Sequence, residues 1–335
     1  MRALVSGGTG FIGGNLVRAL LGRGFAVRVL LRPGSSRKAL EGLDVELAFG
    51  DLTEPASLIS ALQGCEVLFH TAAVYTLWTP DPEAVYAVNV QGTRDLLRAA
   101  HQAGIQRVVY TSSESTIGLP PGGGFGHEGL QAELSHLPGD YKKSKLLAER
   151  EAMQAARDGL PVVIVNPTTP VGPGDVKPTP TGRIVLDFLD GKMPGYTDTG
   201  LNLVDVRDVA EGHILALEKG RLGERYILGS ENLALRELLE TLARLAGRPA
   251  PRLRIPFWMA YAAAYGDELR SEYISHRPPR VPLAGVRAAR KYRFMDCSKA
   301  AAELGFKPRP VETALRDQIS WFRENEYVKK KGRSK

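Results

Sequence analysis

The sequence predicts an α/β fold: a doubly wound parallel sheet with a smaller, interleaved C-terminal lobe. Three observations predict it. Short runs rich in β-branched residues, such as Ala26–Leu31 (AVRVLL) and Pro161–Asn166 (PVVIVN), suit strands covered on both faces. These runs alternate with stretches of helical apolar spacing, the order that joins parallel strands through crossovers. After Pro167 the alternation loosens into Pro- and Gly-rich segments carrying helices, which marks a second, smaller unit.

Taken in order, Arg2–Ser6 (RALVS) is an apolar run that stops at glycines, and Phe11–Arg23 has helical spacing through Ile12, Leu16, Ala19 and Leu20. Ala26–Leu31 and Val45–Phe49 are the next strands, and a helix starting at Pro55 runs to Gln63. Val67–His70 is a strand, Pro82–Ala103 a long helix ended by Gly104, and Arg107–Thr111 (RVVYT) a further strand. The helix Tyr141–Asp158 precedes the strand Pro161–Asn166. Later helices fall near Val206–Glu218, Leu235–Ala246, Pro256–Leu269, Ser298–Leu304 and Val311–Asn325. The pattern divides the chain into a core at 1–166, rejoined by about 203–229, a lobe at 167–202 and 230–328, and a basic tail at 329–335.

The 335 residues, 43% apolar and 24% charged, exclude wholesale disorder, collagen and a disulfide scaffold. The longest uncharged stretches, Ala3–Val17 and Gly159–Gly174, are broken by Gly and Pro; neither is the run of about 20 apolar residues that spans a bilayer. With no export signal and only Cys65 and Cys297, outside any CxxC, the expected compartment is the cytoplasm. Of the net charge of +7, five charges sit in Lys329, Lys330, Lys331, Arg333 and Lys335. The expectation is therefore a solvated tail on a nearly neutral body, with no nucleic-acid partner.

The first strand runs into Ser6-Gly7-Gly8-Thr9-Gly10-Phe11-Ile12-Gly13. Gly8-x-Gly10-x-x-Gly13 matches the dinucleotide fingerprint, and Gly7-x-x-Gly10-x-x-Gly13 its variant. The first glycine makes the tight turn, Gly10 lets backbone approach a pyrophosphate, and Gly13 lets the helix sit on the strand. The phosphates then face the positive end of the helix that opens with Phe11 and Ile12. This is the Rossmann arrangement. An NAD site usually places an acid about 20 residues on; here no Asp or Glu occurs before Glu41. The second strand instead ends in Leu31-Arg32-Pro33-Gly34-Ser35-Ser36-Arg37-Lys38, where Arg32 and Arg37 suit a 2′-phosphate. The expected cofactor is NADP in preference to NAD.

Tyr141-Lys142-Lys143-Ser144-Lys145 puts Tyr141 and Lys145 one helical turn apart. A phenol titrates near 10 in water, and an adjacent ammonium or a cationic nicotinamide lowers that value. Tyr141 is then an acid–base group, and Lys145 can also hold the nicotinamide ribose. Tyr327 and Lys331 share the spacing, but lie at the basic tail and carry no such reading. Ser113, in Thr111-Ser112-Ser113-Glu114-Ser115, follows a strand at the same sheet edge, where a hydroxyl either polarises a carbonyl or caps a turn.

Together these pieces resemble the extended short-chain dehydrogenase/reductase family of NAD-dependent epimerases and dehydratases, over nearly the whole chain. The resemblance rests on SGGTGFIG at the start, GDLTEP at Gly50–Pro55, HTAA at His70–Ala73, NVQGTRDLL at Asn89–Leu97, TSSESTIG at Thr111–Gly118, YKKSK, and NPTTPVGPGD at Asn166–Asp175. Within the family the sequence is similar to the dihydroflavonol-reductase-like branch. It is similar also to bacterial hopanoid-associated sugar epimerases, through VKPTPTGR at Val176–Arg183 and NLVDVRDVAEGH at Asn202–His213. The resemblance implies Ser113, Tyr141 and Lys145 as the catalytic set. It further implies Asp51 and Leu52 at the adenine, Ala72 and Ala73 along the cofactor, Pro167 beside the nicotinamide, a substrate-binding second lobe, and homodimers through the helices Pro82–Ala103 and Tyr141–Asp158. Two positions depart from it: Ser6, where the family usually has Thr, and Asp205, where His is usual.

The expected activity is reduction of a carbonyl, or oxidation of a secondary alcohol, on a small molecule. A nucleotide-sugar epimerase or dehydratase that recycles its cofactor is the first rival, and the sequence leaves open whether Arg183 and Arg207 meet a diphosphate or form ion pairs. A non-catalytic NADP-binding redox sensor is the second; it needs no Tyr141, Lys145 or Ser113. Tyr75 and Trp78 either line a substrate pocket or fill a lobe contact. The histidines lack ligand spacing, so no metal is expected.

Overall fold

In the computed structural model residues 1–328 are described; the tail at 329–335, Lys331 included, and the expectation of a solvated basic run lie outside the described residues. The chain begins β1 (Arg2–Ser6), α1 (Phe11–Gly22), β2 (Ala26–Leu31), β3 (Glu46–Phe49), α2 (Pro55–Leu62), β4 (Val67–His70), α3 (Pro82–Tyr86) and α4 (Gly92–Gln102). Next come β5 (Arg107–Thr111), α5 (Asp140–Arg157), β6 (Val162–Pro167), β7 (Thr169–Val171), α6 (Pro180–Leu189), β8 (Gly195–Tyr196), β9 (Gly200–Asp205), α7 (Val206–Lys219) and β10 (Arg225–Leu228). It finishes with β11 (Glu231–Ala234), α8 (Leu235–Ala246), β12 (Leu253–Arg254), α9 (Phe257–Arg270), α10 (Leu283–Ala288) and α11 (Val311–Glu324).

Seven strands form one parallel sheet in the order β10-β6-β5-β4-β1-β2-β3. The chain starts at β1, winds outward to β3, then crosses back to β4. That reversal opens a crevice beyond the carboxyl ends of β1 and β4, where Ser6 is in register with His70. α1 and α7 cover one face, packing Leu16, Val209 and Ile214 on Val5 and Val29. α2, α4 and α5 cover the other, with Leu58, Leu96 and Ala148 over Leu68, Tyr110 and Ile164. A separate apolar cluster joins α6, α8 and α11 through Val185, Leu238, Leu315 and Phe322.

The first half follows the sequence expectation closely, with one difference. The helix expected at Pro82–Ala103 is broken by a π-helical turn at Ala87–Gln91. Asn89 turns inward there, accepting from Val74 N (2.7 Å) and donating to Val74 O (3.1 Å), while Thr93 Oγ1 donates to Asn89 O (2.6 Å). In the second half, β7 to β12, α6 and α10 are additions to what the sequence predicts, and the helix expected at Ser298–Leu304 is a π-helical turn at Ala300–Leu304. The missed strands are two to six residues long and hold Pro170, Asn202 and Asn232, which blur a strand signal. α6 begins at Pro180 with Thr179 Oγ1 accepting from Gly182 N (3.1 Å), inside a stretch that reads as a Pro-rich loop.

Candidate active site

Glycines shape the turn after β1. Gly7 has φ +76°, and a Cβ there would lie 2.6 Å from Ala72 N. A Cβ on Gly13 would collide with Gly7 O and lie 2.7 Å from Gly7 C and 2.8 Å from Thr71 Oγ1. Gly10 differs, since its Cβ would meet only Gly7 O, at 3.2 Å, with nothing else within 4 Å. The protein's own packing presses little on this position, which leaves room for a ligand to approach the backbone closely. α1 starts with no side-chain cap and no acid in its first turn, so the N–H groups of Phe11, Ile12 and Gly13 suit an anion. These features fit a dinucleotide pyrophosphate.

At the far end of the crevice, Arg32 is exposed just beyond β2 and the Arg37 guanidinium lies 5.6 Å over the Phe49 ring. Among the described residues neither arginine pairs with a carboxylate. Asp51 Oδ1 accepts from Thr53 N and Thr53 Oγ1, both at 2.9 Å. Leu52 is buried under Gly92, whose added Cβ would sit 2.7 Å from Leu52 Cβ. Ala72 and Ala73 are half-buried after β4, and Pro167 is buried at the end of β6.

Ser113, Tyr141 and Lys145 come together at the carboxyl edge of β5. Ser113 Oγ accepts from Ser115 N (3.1 Å) and Ser115 Oγ (3.0 Å), leaving its own proton for the Tyr141 hydroxyl. Tyr141, in the first turn of α5, stacks on Tyr75 with ring centroids 4.5 Å apart. Lys145, one turn on, is 3% exposed and donates to Thr111 O (2.7 Å) and Tyr110 Oη (3.1 Å). Two of its three N–H donors are thus engaged.

This geometry corrects one expectation. Lys145 does not hold the Tyr141 phenol below its ordinary value. Burial pushes that phenol up, Tyr75 and Glu114 add to the rise, and the Ser113 hydrogen bond alone opposes it. The physical reason is that the Lys145 ammonium is turned down onto β5. Burial in turn lowers Lys145 to about 8, against the pull of the Glu149 carboxylate.

Several supporting residues were not foreseen. Glu149, wholly buried, accepts from Thr116 Oγ1 (2.7 Å), Asn166 Nδ2 (2.7 Å) and Arg225 Nη1 (3.2 Å). Its place four residues after Lys145 was the available signal. Arg225 and Arg293 arrive from distant sequence and leave no local signal. Arg293 pairs with Glu114 (2.6 Å) and donates to Glu114 O (2.7 Å), fastening the turn that carries Ser113. Beneath the glycine turn, His70 Nδ1 meets Ser6 Oγ (2.7 Å) and its Nε2 meets Thr93 Oγ1 (2.9 Å); burial lowers this imidazole to about 3, so it stays neutral.

A model of the NAD-dependent epimerase/dehydratase family matches residues 3–229, more than half of the chain. The chain belongs to that family. Over 329 residues, 97% of this chain and 95% of the relative, the enzyme is 46% identical to a protein of Synechocystis sp. provisionally named a dihydroflavonol 4-reductase. Over 326 residues, 97% of this chain and 99% of the relative, it is 40% identical to sterol demethylase protein B of Methylococcus capsulatus. The solved structure of a nucleoside-diphosphate-sugar epimerase from Pseudomonas aeruginosa superposes with a TM-score of 0.82 at 31% identity, covering 98% of this chain and 99% of that one. The family is nicotinamide-dinucleotide dependent. Its members and neighbours are dehydrogenases, reductases, epimerases and dehydratases, and this chain is an enzyme of the same extended short-chain type.

The departures from the family pattern have structural uses in this enzyme. Asp205, fully buried, caps α7 by accepting from Arg207 N (2.8 Å) and pairs with the Arg207 guanidinium (2.6 Å). Arg207 also pairs with Asp317 (2.6 Å), so of the two open arginines this one forms ion pairs. Arg183 is exposed on α6. Tyr327 Oη donates to Val176 O (2.6 Å) and its ring stacks on Trp321, which gives it a packing role. Among the described residues no group of three His, Cys, Asp or Glu could hold a metal ion, and no helix is long and apolar enough to cross a membrane.

Proposed function

We propose that this enzyme is an NADP(H)-dependent oxidoreductase that reduces a carbonyl, or oxidises a secondary alcohol, on an apolar small molecule. The observation that carries the reading is the convergence of Ser113, Tyr141 and Lys145 beside the glycine-lined crevice. The nicotinamide supplies or accepts the hydride when bound. In the reducing direction Tyr141 gives its proton to the substrate oxygen, and in the oxidising direction it takes one. Ser113, its lone pairs engaged by Ser115, turns the proton it gives to the Tyr141 hydroxyl toward the same oxygen once substrate is bound. Lys145 offers its third N–H to the ribose and holds the floor of the site through Thr111 O.

NADP is supported by Arg32 and Arg37 and by the lack of any acid before Glu41. Asp51 and Leu52 would border the adenine, Ala72 and Ala73 the length of the cofactor, and Pro167 the nicotinamide. Reduction of an apolar compound, in preference to sugar-nucleotide chemistry, is supported by Arg207 and Arg293. Both are held by carboxylates and leave less for a diphosphate, although Arg183, exposed on α6, stays available for one. The names of the Synechocystis and Methylococcus relatives point the same way. A homodimer through the helices Pro82–Ala103 and Tyr141–Asp158 goes with this reading, as does the division into a dinucleotide core and a substrate lobe.

The test is to titrate the purified protein with NADPH and NADH, then supply dihydroflavonols, 3-ketosteroids and UDP- or dTDP-sugars. Net oxidation of NADPH with one of the carbonyl compounds is expected. Epimerisation of a sugar nucleotide without net change of the cofactor would replace this reading with the epimerase one.

A further inference from the structure

α9 presents two apolar faces, and the fold uses one of them. Phe257, Ala260, Tyr261 and Ala264 pack with Leu283 and Val286 of α10. The opposite face carries Trp258, Ala262, Tyr265, Leu269 and, in the helical turn that continues α9, Tyr273, all exposed, with Trp258 and Tyr273 each 70% accessible. Their spacing of four, three, four and four residues makes one continuous stripe along the helix. Met259 and Ile274 are exposed beside it.

The stretch that holds this stripe and α10 carries a net positive charge. Between Pro256 and Lys291 lie Arg270, Arg277, Arg280, Arg287, Arg290 and Lys291, against Asp267, Glu268 and Glu272. Two of the three carboxylates are engaged by backbone: Asp267 Oδ2 accepts from Arg280 N (2.6 Å) and Glu268 Oε2 from Leu283 N (2.9 Å). Arg287 and Arg290 lie over the Tyr261 and Phe257 rings. Exposed Trp, Tyr, Leu and Ile, with Arg270, Arg277 and Arg280 exposed on the same helix and the segment after it, form the kind of surface that settles between the headgroups and acyl chains of an anionic bilayer. A water-facing helix has no need of Trp258, Leu269, Tyr273 and Ile274 outward.

We propose that α9 and the segment after it dock this enzyme in the plane of an anionic phospholipid surface. The position gives the docking a use. α10, held against the buried face of α9, rests on the site: Ala284 packs against Gly139, two residues before Tyr141, and Gly285 lies against Leu77, two residues after Tyr75. The mouth of the crevice therefore opens beside the membrane-facing helix, where an apolar substrate partitions. The docking surface stands whatever the substrate proves to be.

The test is sedimentation of the full chain with vesicles of phosphatidylcholine alone and of phosphatidylcholine with phosphatidylglycerol. Binding to the anionic vesicles that weakens with added salt is expected, with far less binding to phosphatidylcholine alone. W258S/Y273S should lower that binding by at least about tenfold while circular dichroism and NADPH binding stay unchanged. Three results would overturn the proposal. One is no binding to either vesicle. Another is undiminished binding of the double variant, which would assign the attraction to the terminal lysines. The last is a vesicle-free oligomer, seen by light scattering, that the double variant splits, which would give the stripe to a second copy of the chain.

Discussion

Replacing Gly10 and Gly13 by alanine separates the two reasons for glycine in the turn after β1. At Gly13 the new Cβ meets Gly7 O, lies 2.7 Å from Gly7 C and presses on Thr71, all of it constrained by the sheet. Overpacking of this kind costs about 3 kcal/mol, and about 1 returns from replacing glycine inside a helix. The net loss of about 2 kcal/mol lowers the melting temperature by about 3 °C at this chain length. At Gly10, φ −81° and ψ 175° suit alanine, and the single neighbour, Gly7 O at 3.2 Å, has to give by only a few tenths of an ångström. Gly10→Ala should therefore melt within about 1 °C of the parent while losing about 100-fold in NADPH affinity, because its methyl occupies the pyrophosphate's line of approach. Calorimetry and fluorescence titration read the two quantities separately. A Gly10→Ala protein that binds NADPH as tightly as the parent would refute the placement of the pyrophosphate over this turn.

Glu149→Gln leaves the Arg225 guanidinium buried without its carboxylate and should cost about 3 kcal/mol, read by urea unfolding. Because burial favours the neutral amine of Lys145, its charge is present below about pH 8 and is lost above it. NADPH affinity should then be level through neutrality and fall as pH rises past about 8, a limb that Lys145→Met abolishes. Arg32→Ala with Arg37→Ala should weaken NADPH by at least about tenfold and leave NADH unchanged in parallel titrations.

How much the sequence reveals depends on how local the causes are. Each strand from Arg2–Ser6 to Arg107–Thr111, apart from the half-exposed edge strand Glu46–Phe49, is a largely buried run, so its signal is complete in a few positions. Ser113, Tyr141 and Lys145 were legible because helix spacing and strand ends are local too. The supports beneath them were not. Asn89 distorts its helix for the sake of Val74, 15 residues away, and Arg293 reaches the Ser113 turn from 179 residues beyond Glu114. The direction of the Lys145 side chain, decided by Thr111 O on a neighbouring strand, was likewise invisible in its own helix. In the second lobe, strands as short as Gly195–Tyr196 exist only through their partners, in this case Leu253–Arg254.

The central claim is that the Tyr141 hydroxyl moves the proton. Tyr141→Phe removes that oxygen alone and keeps the ring stacked on Tyr75. Steady-state turnover beside NADPH titration should show activity reduced by at least about 1,000-fold with cofactor affinity within about threefold of the parent. Turnover within tenfold of the parent would contradict the account.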